Sequence, residues 1–148
     1  MNNFYSFVVP IYNEKKNIVP TIEVIEKYFI NENFEILFVD DNSPDGSAEE
    51  VISLSQKNHR LKLIQHGKKE GIGAALFYGC KFTTGNLIVF LDADLSQSSF
   101  YIKEMMKFIS LDFDMVIGSR YLKGSKQVNQ TLFKKYGSFF LINLQVLL

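Results

Sequence analysis

With one cysteine in 148 residues, Cys80, the chain can form no internal disulfide framework, and that sparing use fits a reducing compartment. Cys80 falls inside an expected helix with no partner motif and reads as a small core residue. Charge of one sign is also missing. The 16 Lys and Arg equal the 16 Asp and Glu, so the overall charge does not point to nucleic acid, and any site for a polyanion must be built locally. No run reaches the roughly 20 apolar residues that a membrane-crossing helix needs. The opening MNNFYSFVVP lacks a basic region and has too short an apolar run for a secretory signal. The apolar tail from Phe139 to Leu148, broken by Asn143 and Gln145, reads as a core helix, an interfacial helix or the start of a longer segment.

Repeats, low-complexity tracts and linkers are absent too, so the chain reads as one domain, 1–148. A chain of this length buries roughly 68–70% of its unfolded surface, and 47% hydrophobic residues supply the core. Short β-branched and aromatic runs alternate with helical patterns. Strands are expected at Phe7–Pro10, Glu35–Val39, Leu61–Ile64, Asn86–Leu91 and Met115–Ile117. Ile18, Ile22, Ile25 and Phe29 form a stripe at helical spacing, with Pro20 placed in the first turn. Ser47-Ala-Glu-Glu50 reads as a capping box ahead of Val51 and Leu54. Two more helices are expected over 71–82 and 98–109, with Phe100, Met105, Met106 and Ile109 as core positions. Alternation of this kind predicts an α/β fold, a mostly parallel sheet with flanking helices.

In such a sheet, ligands bind beyond the carboxyl ends of the strands. Polar clusters fall at four of those ends: Tyr12-Asn13-Glu14, Asp40-Asp41, Asp92-Ala93-Asp94 and Gly118-Ser119-Arg120. Asp92 and Asp94, one residue apart where an apolar run breaks into a loop, are suited to share a hard cation; Mg²⁺ and Mn²⁺ favour oxygen ligands and bridge to phosphates. The competing reading is a solvated turn. Asp40 and Asp41 cannot both enter one pocket without repulsion, so Asp41 is expected to accept hydrogen bonds from a base or ribose and Asp40 to brace the loop. Pro44, Asp45 and Gly46 have the chemistry of a turn. Arg120 suits bidentate phosphate binding, against a surface pairing with Asp112 or Asp114. Lys68, Lys69 and Gly71-Ile72-Gly73 precede a helix whose N-terminus is open to phosphate, although a loop that merely positions the helix explains them better. His59 and His66 read as surface residues.

Taken together, Val8-Val-Pro-Ile-Tyr-Asn-Glu14, Val39-Asp-Asp-Asn-Ser-Pro-Asp-Gly-Ser47, Gly71-Ile-Gly73, Leu91-Asp-Ala-Asp-Leu-Ser96 and Gly118-Ser-Arg-Tyr121 resemble, in order, the motifs of glycosyltransferase family 2. The SPDG turn and the GSRY segment resemble its dolichyl- or polyprenyl-phosphate mannose synthase branch. The resemblance implies the nucleotide-diphospho-sugar transferase (GT-A, Rossmann-like) fold. By it, Pro10, Tyr12, Glu14, Val39 and Asp41 would line a nucleotide pocket. Asp92, Ala93, Asp94 and Ser96 would surround the metal, Mg²⁺ or Mn²⁺, and the diphosphate. Arg120 would contact phosphate, with Asp92, Asp94 and Arg120 as the catalytic set. The implied donor is GDP-mannose and the acceptor a polyprenyl phosphate, with peripheral contact at the cytoplasmic face of a membrane. Family members usually run longer, and Lys134-Lys135 stand where relatives usually offer an Arg. The acceptor portion is therefore expected to be missing, and the isolated chain to bind donor nucleotide but transfer little. Rival readings are a UDP-glucose donor, a nucleotide-binding fragment without activity, and a phospho-accepting receiver domain with Asp92 as acceptor, Ser119 as switch hydroxyl and Lys126 or Lys135 as its lysine.

Overall fold

The computed structural model describes residues 3–67, 69–94, 99–109 and 113–118. Eight elements follow in chain order: β1 (Phe4–Ile11), α1 (Lys15–Tyr28), β2 (Asn33–Asp40), α2 (Ser47–Ser55), β3 (Leu61–Gln65), α3 (Ile72–Cys80), β4 (Leu87–Phe90) and α4 (Ser99–Ile109). The strands form one parallel sheet in the order β3-β2-β1-β4. β1 and β2 occupy its centre and are buried on both faces, which is why they read as nearly unbroken apolar runs.

Helices cover both faces. On one, Ile18, Ile22, Ile25 and Phe29 pack against Phe7, Val9, Phe34, Ile36 and Phe38, with Val51 of α2 and Ile102 of α4 in the same cluster. The ring of Phe29 meets Phe7 edge-on at 4.8 Å, and Phe7 meets Phe34 at 6.0 Å. On the other face α3 lies very close to the sheet. A Cβ on Gly79 would sit 2.7 Å from both Val8 and Val39, so only glycine permits the approach.

Three local expectations need correction. α1 begins at Lys15, which moves Pro20 out of the first turn and into the helix. There its missing N–H deprives the Lys16 carbonyl of a helical partner, tolerable because Lys16 is exposed. The capping box at Ser47 does not form. Gly46, at φ 85°, holds the N-cap position of α2, while the Ser47 hydroxyl bonds Asp45 and accepts from the Glu14 N–H at 3.1 Å. Residues 115–117 form no strand: Met115 and Ile117 are exposed, and no described segment pairs with them. Met105 and Met106 are half-buried, and Met106 packs on the core beside the buried Ile102. Residues 119–148, including Arg120, the Lys134-Lys135 pair and the apolar tail, lie outside the described residues, as do Lys68, Ser96 and the side chains of Phe100 and Ile109.

The topology fixes where a ligand belongs. From β1 the chain steps outward to β2 and β3, then returns to place β4 on the other side of β1. Crossovers therefore diverge between β1 and β4, which opens a crevice at the carboxyl ends of those two strands.

Candidate active site

A cleft of about 370 Å³ opens at that crevice, lined by Pro10, Ile11, Tyr12, Glu14, Asp41, Lys69, Gly71, Ile72, Asp92, Ala93 and Asp94. Its size lies at the lower end of the roughly 300–1,000 Å³ usual for small-molecule sites. The expected site residues Pro10, Tyr12, Glu14, Asp41, Asp92, Ala93 and Asp94 thus meet in one place, drawn from the ends of β1, β2 and β4. Val39 does not join them. Its side chain is fully buried beneath α3 with Val8 and Ala75, because Val39 still lies inside β2 whereas Asp41 lies just past the strand's end at Asp40.

Two loops brace each other beneath the cleft. Asn13 and Asn42 both adopt left-handed backbone, at φ 59° and 65°, a conformation that Asn tolerates better than most residues. Asp40 is buried and accepts from the Ser43 N–H at 3.1 Å and from the Ser43 hydroxyl, while Ser43 Oγ accepts from the Asn13 N–H at 3.0 Å. Asp45 accepts from the Lys15 N–H at 3.0 Å, so a residue of the β2–α2 loop caps the start of α1. Desolvation opposes ionisation of Asp45, but hydrogen bonds from Ser47 and Lys15 outweigh it and hold the carboxyl below its ordinary value. Asp40 and Asp45 therefore serve the scaffold, whereas Asp41 faces the cleft.

Asp41 accepts a hydrogen bond from His66 Nδ1 at 2.8 Å, and both side chains are only 9% exposed. His66 is thus no surface residue. Nothing in its local pattern marked it; the pairing depends on β3 lying beside β2, which is a property of topology. Thr21 is a second residue that the sequence did not single out. Its buried hydroxyl lies 3.0 Å from the carbonyl of Ala93, between the two aspartates, and 2.7 Å from the carbonyl of Asn17, so α1 holds the Asp92–Asp94 segment in place. At the mouth, Lys69 Nζ sits 3.7 Å from the centre of the Tyr12 ring, a cation–π contact that brings the 69–72 loop over the cleft.

Asp92 and Asp94 are the pair suited to a cation. Among the described residues, no three His, Cys, Asp or Glu side chains converge into a metal cage. Two carboxylates beside an open cleft fit Mg²⁺ or Mn²⁺, which retain waters and take phosphate oxygens as ligands. They do not fit a structural zinc site, which takes four protein ligands.

The profile of glycosyl transferase family 2 matches residues 6–147. The chain belongs to that family. It is 35% identical over 130 residues to a dolichol-phosphate mannosyltransferase of Pyrococcus furiosus, covering 88% of this chain and 37% of the relative. It is 34% identical over 146 residues to a dolichyl-phosphate beta-glucosyltransferase of Trichomonas vaginalis, covering 90% of this chain and 43% of that one. Among solved structures, a mannosyltransferase from Pyrobaculum calidifontis in complex with GDP-Man and Mn²⁺ superimposes with a TM-score of 0.57 at 26% identity, over 64% of this chain and 28% of that one. The parallel sheet with helices on both faces is accordingly the GT-A type that the motifs imply. The chain spans less than half the length of these curated relatives. Membership of the family removes the receiver-domain reading, and among the described residues no helix is long and apolar enough to cross a membrane.

Proposed function

We propose that this chain carries the donor site of a metal-dependent, inverting glycosyltransferase that moves mannose from GDP-mannose to a polyprenyl phosphate. The observation that carries this reading is the cleft at the sheet's switch point, which Asp41, Asp92 and Asp94 all line. Asp41 accepts hydrogen bonds from the nucleoside, Tyr12 and Pro10 flank it, and Asp92 and Asp94 are the residues that would hold Mg²⁺ or Mn²⁺ for the diphosphate. Such a cation supplies charge neutralisation on the departing nucleoside diphosphate. The motif resemblance assigns Ser96 and Arg120 to the diphosphate as well. An acceptor phosphate is already anionic, so its oxygen attacks the anomeric carbon without a strong general base. The bond from that carbon to the diphosphate breaks as the new one forms, and configuration inverts. Likeness to the Pyrococcus furiosus relative supports mannose and a lipid phosphate, and contact with the cytoplasmic face of a membrane follows from that acceptor.

A second reading has glucose in place of mannose, with UDP-glucose as donor; the nearly equal identity to the Trichomonas vaginalis beta-glucosyltransferase favours that sugar. Calorimetry of GDP-mannose, UDP-glucose and ADP-glucose with the full chain in Mn²⁺ separates the two. GDP-mannose should bind tightest. Tightest binding of UDP-glucose would install the second reading, and failure of every nucleotide sugar to bind would refute both.

A further inference from the structure

His66 has no role in the functional reading so far, yet its ring is held on several sides. Its backbone N–H donates to the Asp40 carbonyl at 2.9 Å, which fixes the residue at the end of β3. The imidazole lies against the ring of Tyr78 on α3, with centroids 4.8 Å apart. Nδ1 meets Asp41 Oδ1 at 2.8 Å, and Nε2 lies 3.8 Å from the exposed carboxylate of Glu70. An ionised carboxylate only accepts hydrogen bonds, so Asp41 requires the proton on Nδ1 and fixes which ring nitrogen carries it. Histidine in turn commits one carboxylate oxygen to the protein and restricts rotation of the group. His66 does not line the cleft, whereas Asp41 does.

We propose that His66 is a positioning residue for donor recognition: it locks the Asp41 carboxylate so that its remaining acceptor capacity meets N–H or hydroxyl donors of the nucleoside. The inference rests on the reading of Asp41 as the nucleoside contact. A freely rotating carboxylate would bind the same groups but would lose orientational freedom on each binding event, and the His66 contact removes most of that cost beforehand. The hydrogen bond is charge-assisted and nearly dry, so its loss should weaken binding by about tenfold.

The test is calorimetry of GDP, and separately of pyrophosphate, with the full chain in Mn²⁺. His66→Leu should weaken GDP binding about tenfold and leave pyrophosphate, which carries no nucleoside to present to Asp41, unchanged. His66→Asn, whose amide N–H falls near the position of Nδ1, should recover most of the loss; His66→Gln, whose amide falls near Nε2, should not. In an Asp41→Ala background, His66→Leu should add nothing. If Asp41→Ala itself leaves GDP affinity unaltered, the nucleoside reading fails and this inference with it. If Asp41→Ala weakens GDP but His66→Leu does not, or if the two losses add, the reading stands and the positioning role is overturned. Should His66→Leu fail to fold, equal GDP affinity of His66→Asn and His66→Gln overturns the role, and tighter binding by His66→Asn supports it.

Discussion

The two ends of β2 carry buried carboxylates that do opposite things. At the start of the strand, Glu35 accepts from Ser6 Oγ at 2.6 Å, Lys62 Nζ at 2.6 Å, and both the N–H and hydroxyl of Thr84 at 2.7 and 2.9 Å. Beyond the other end, Asp41 accepts from His66 and borders a cleft. Burial alone would raise the Glu35 pKa, yet the Lys62, Ser6 and Thr84 hydrogen bonds overcome it and hold the group at about 2. A carboxylate whose acceptor sites are filled by its own protein is a fastener; one with capacity left over beside a cavity is a binding group. Burial is nearly the same in the two, so partner count distinguishes them.

The largest expected effect falls on the fastener. Glu35→Ala takes the acceptor from the buried Ser6 hydroxyl and from Thr84, untying the 83–85 turn from β2, while Lys62, 40% exposed, turns to water; it should cost about 3 kcal/mol of stability. Thermal unfolding measures that cost, and GDP affinity below the transition should be unchanged. Because the folded Glu35 pKa lies below its ordinary value, its contribution is complete above about pH 4.5 and fades as pH falls toward about 2. Glu35→Gln should flatten that part of the acid-unfolding curve; an unaltered curve would break the comparison. Next comes Asp94→Asn, which removes a charge from the cation pair. It should reduce Mn²⁺-dependent GDP affinity by about 10–100-fold, with unfolding temperature little changed. Asp41→Ala should weaken GDP binding by about 30-fold, more than losing His66 alone, whereas Asp40→Ala should lower stability first, since Asp40 ties down Ser43. A loss of binding from Asp40→Ala at unchanged stability would reverse the assignment within the pair. Smallest is Thr21→Val, which removes the hydroxyl beside the Ala93 carbonyl and should cost about 1 kcal/mol, read in stability and in Mn²⁺-dependent GDP binding.

How much of this the sequence disclosed follows the same division. Strands β1 to β4 and four helices were legible because buried parallel strands leave apolar runs and their helices leave stripes. The rim residues Tyr12, Glu14, Asp41, Asp92 and Asp94 were legible because polar residues directly after apolar runs mark strand ends. Glu35 gave no such sign: within Asn33-Phe34-Glu35-Ile36 it looks like the exposed edge of a strand, and its partners are distant in sequence. His66 and Thr21 act through contacts 25 and 72 residues away, so no local pattern encodes them. Val39 shows the opposite error. Its place inside a shared motif suggested ligand contact, while α3 packs over its side chain inside the sheet. The expected strand over 115–117 did not form because a β-branched run needs a neighbouring ladder, and no described segment offers it one.

The proposed function depends on the crevice between β1 and β4 binding a nucleoside diphosphate through a cation held by Asp92 and Asp94. Its most direct test is the affinity of the unaltered chain for GDP by calorimetry, once in excess Mn²⁺ and once in EDTA. Affinity should be at least about tenfold higher with Mn²⁺, and Asp94→Asn should abolish that difference. Equal affinity in Mn²⁺ and EDTA would contradict that role for the cation.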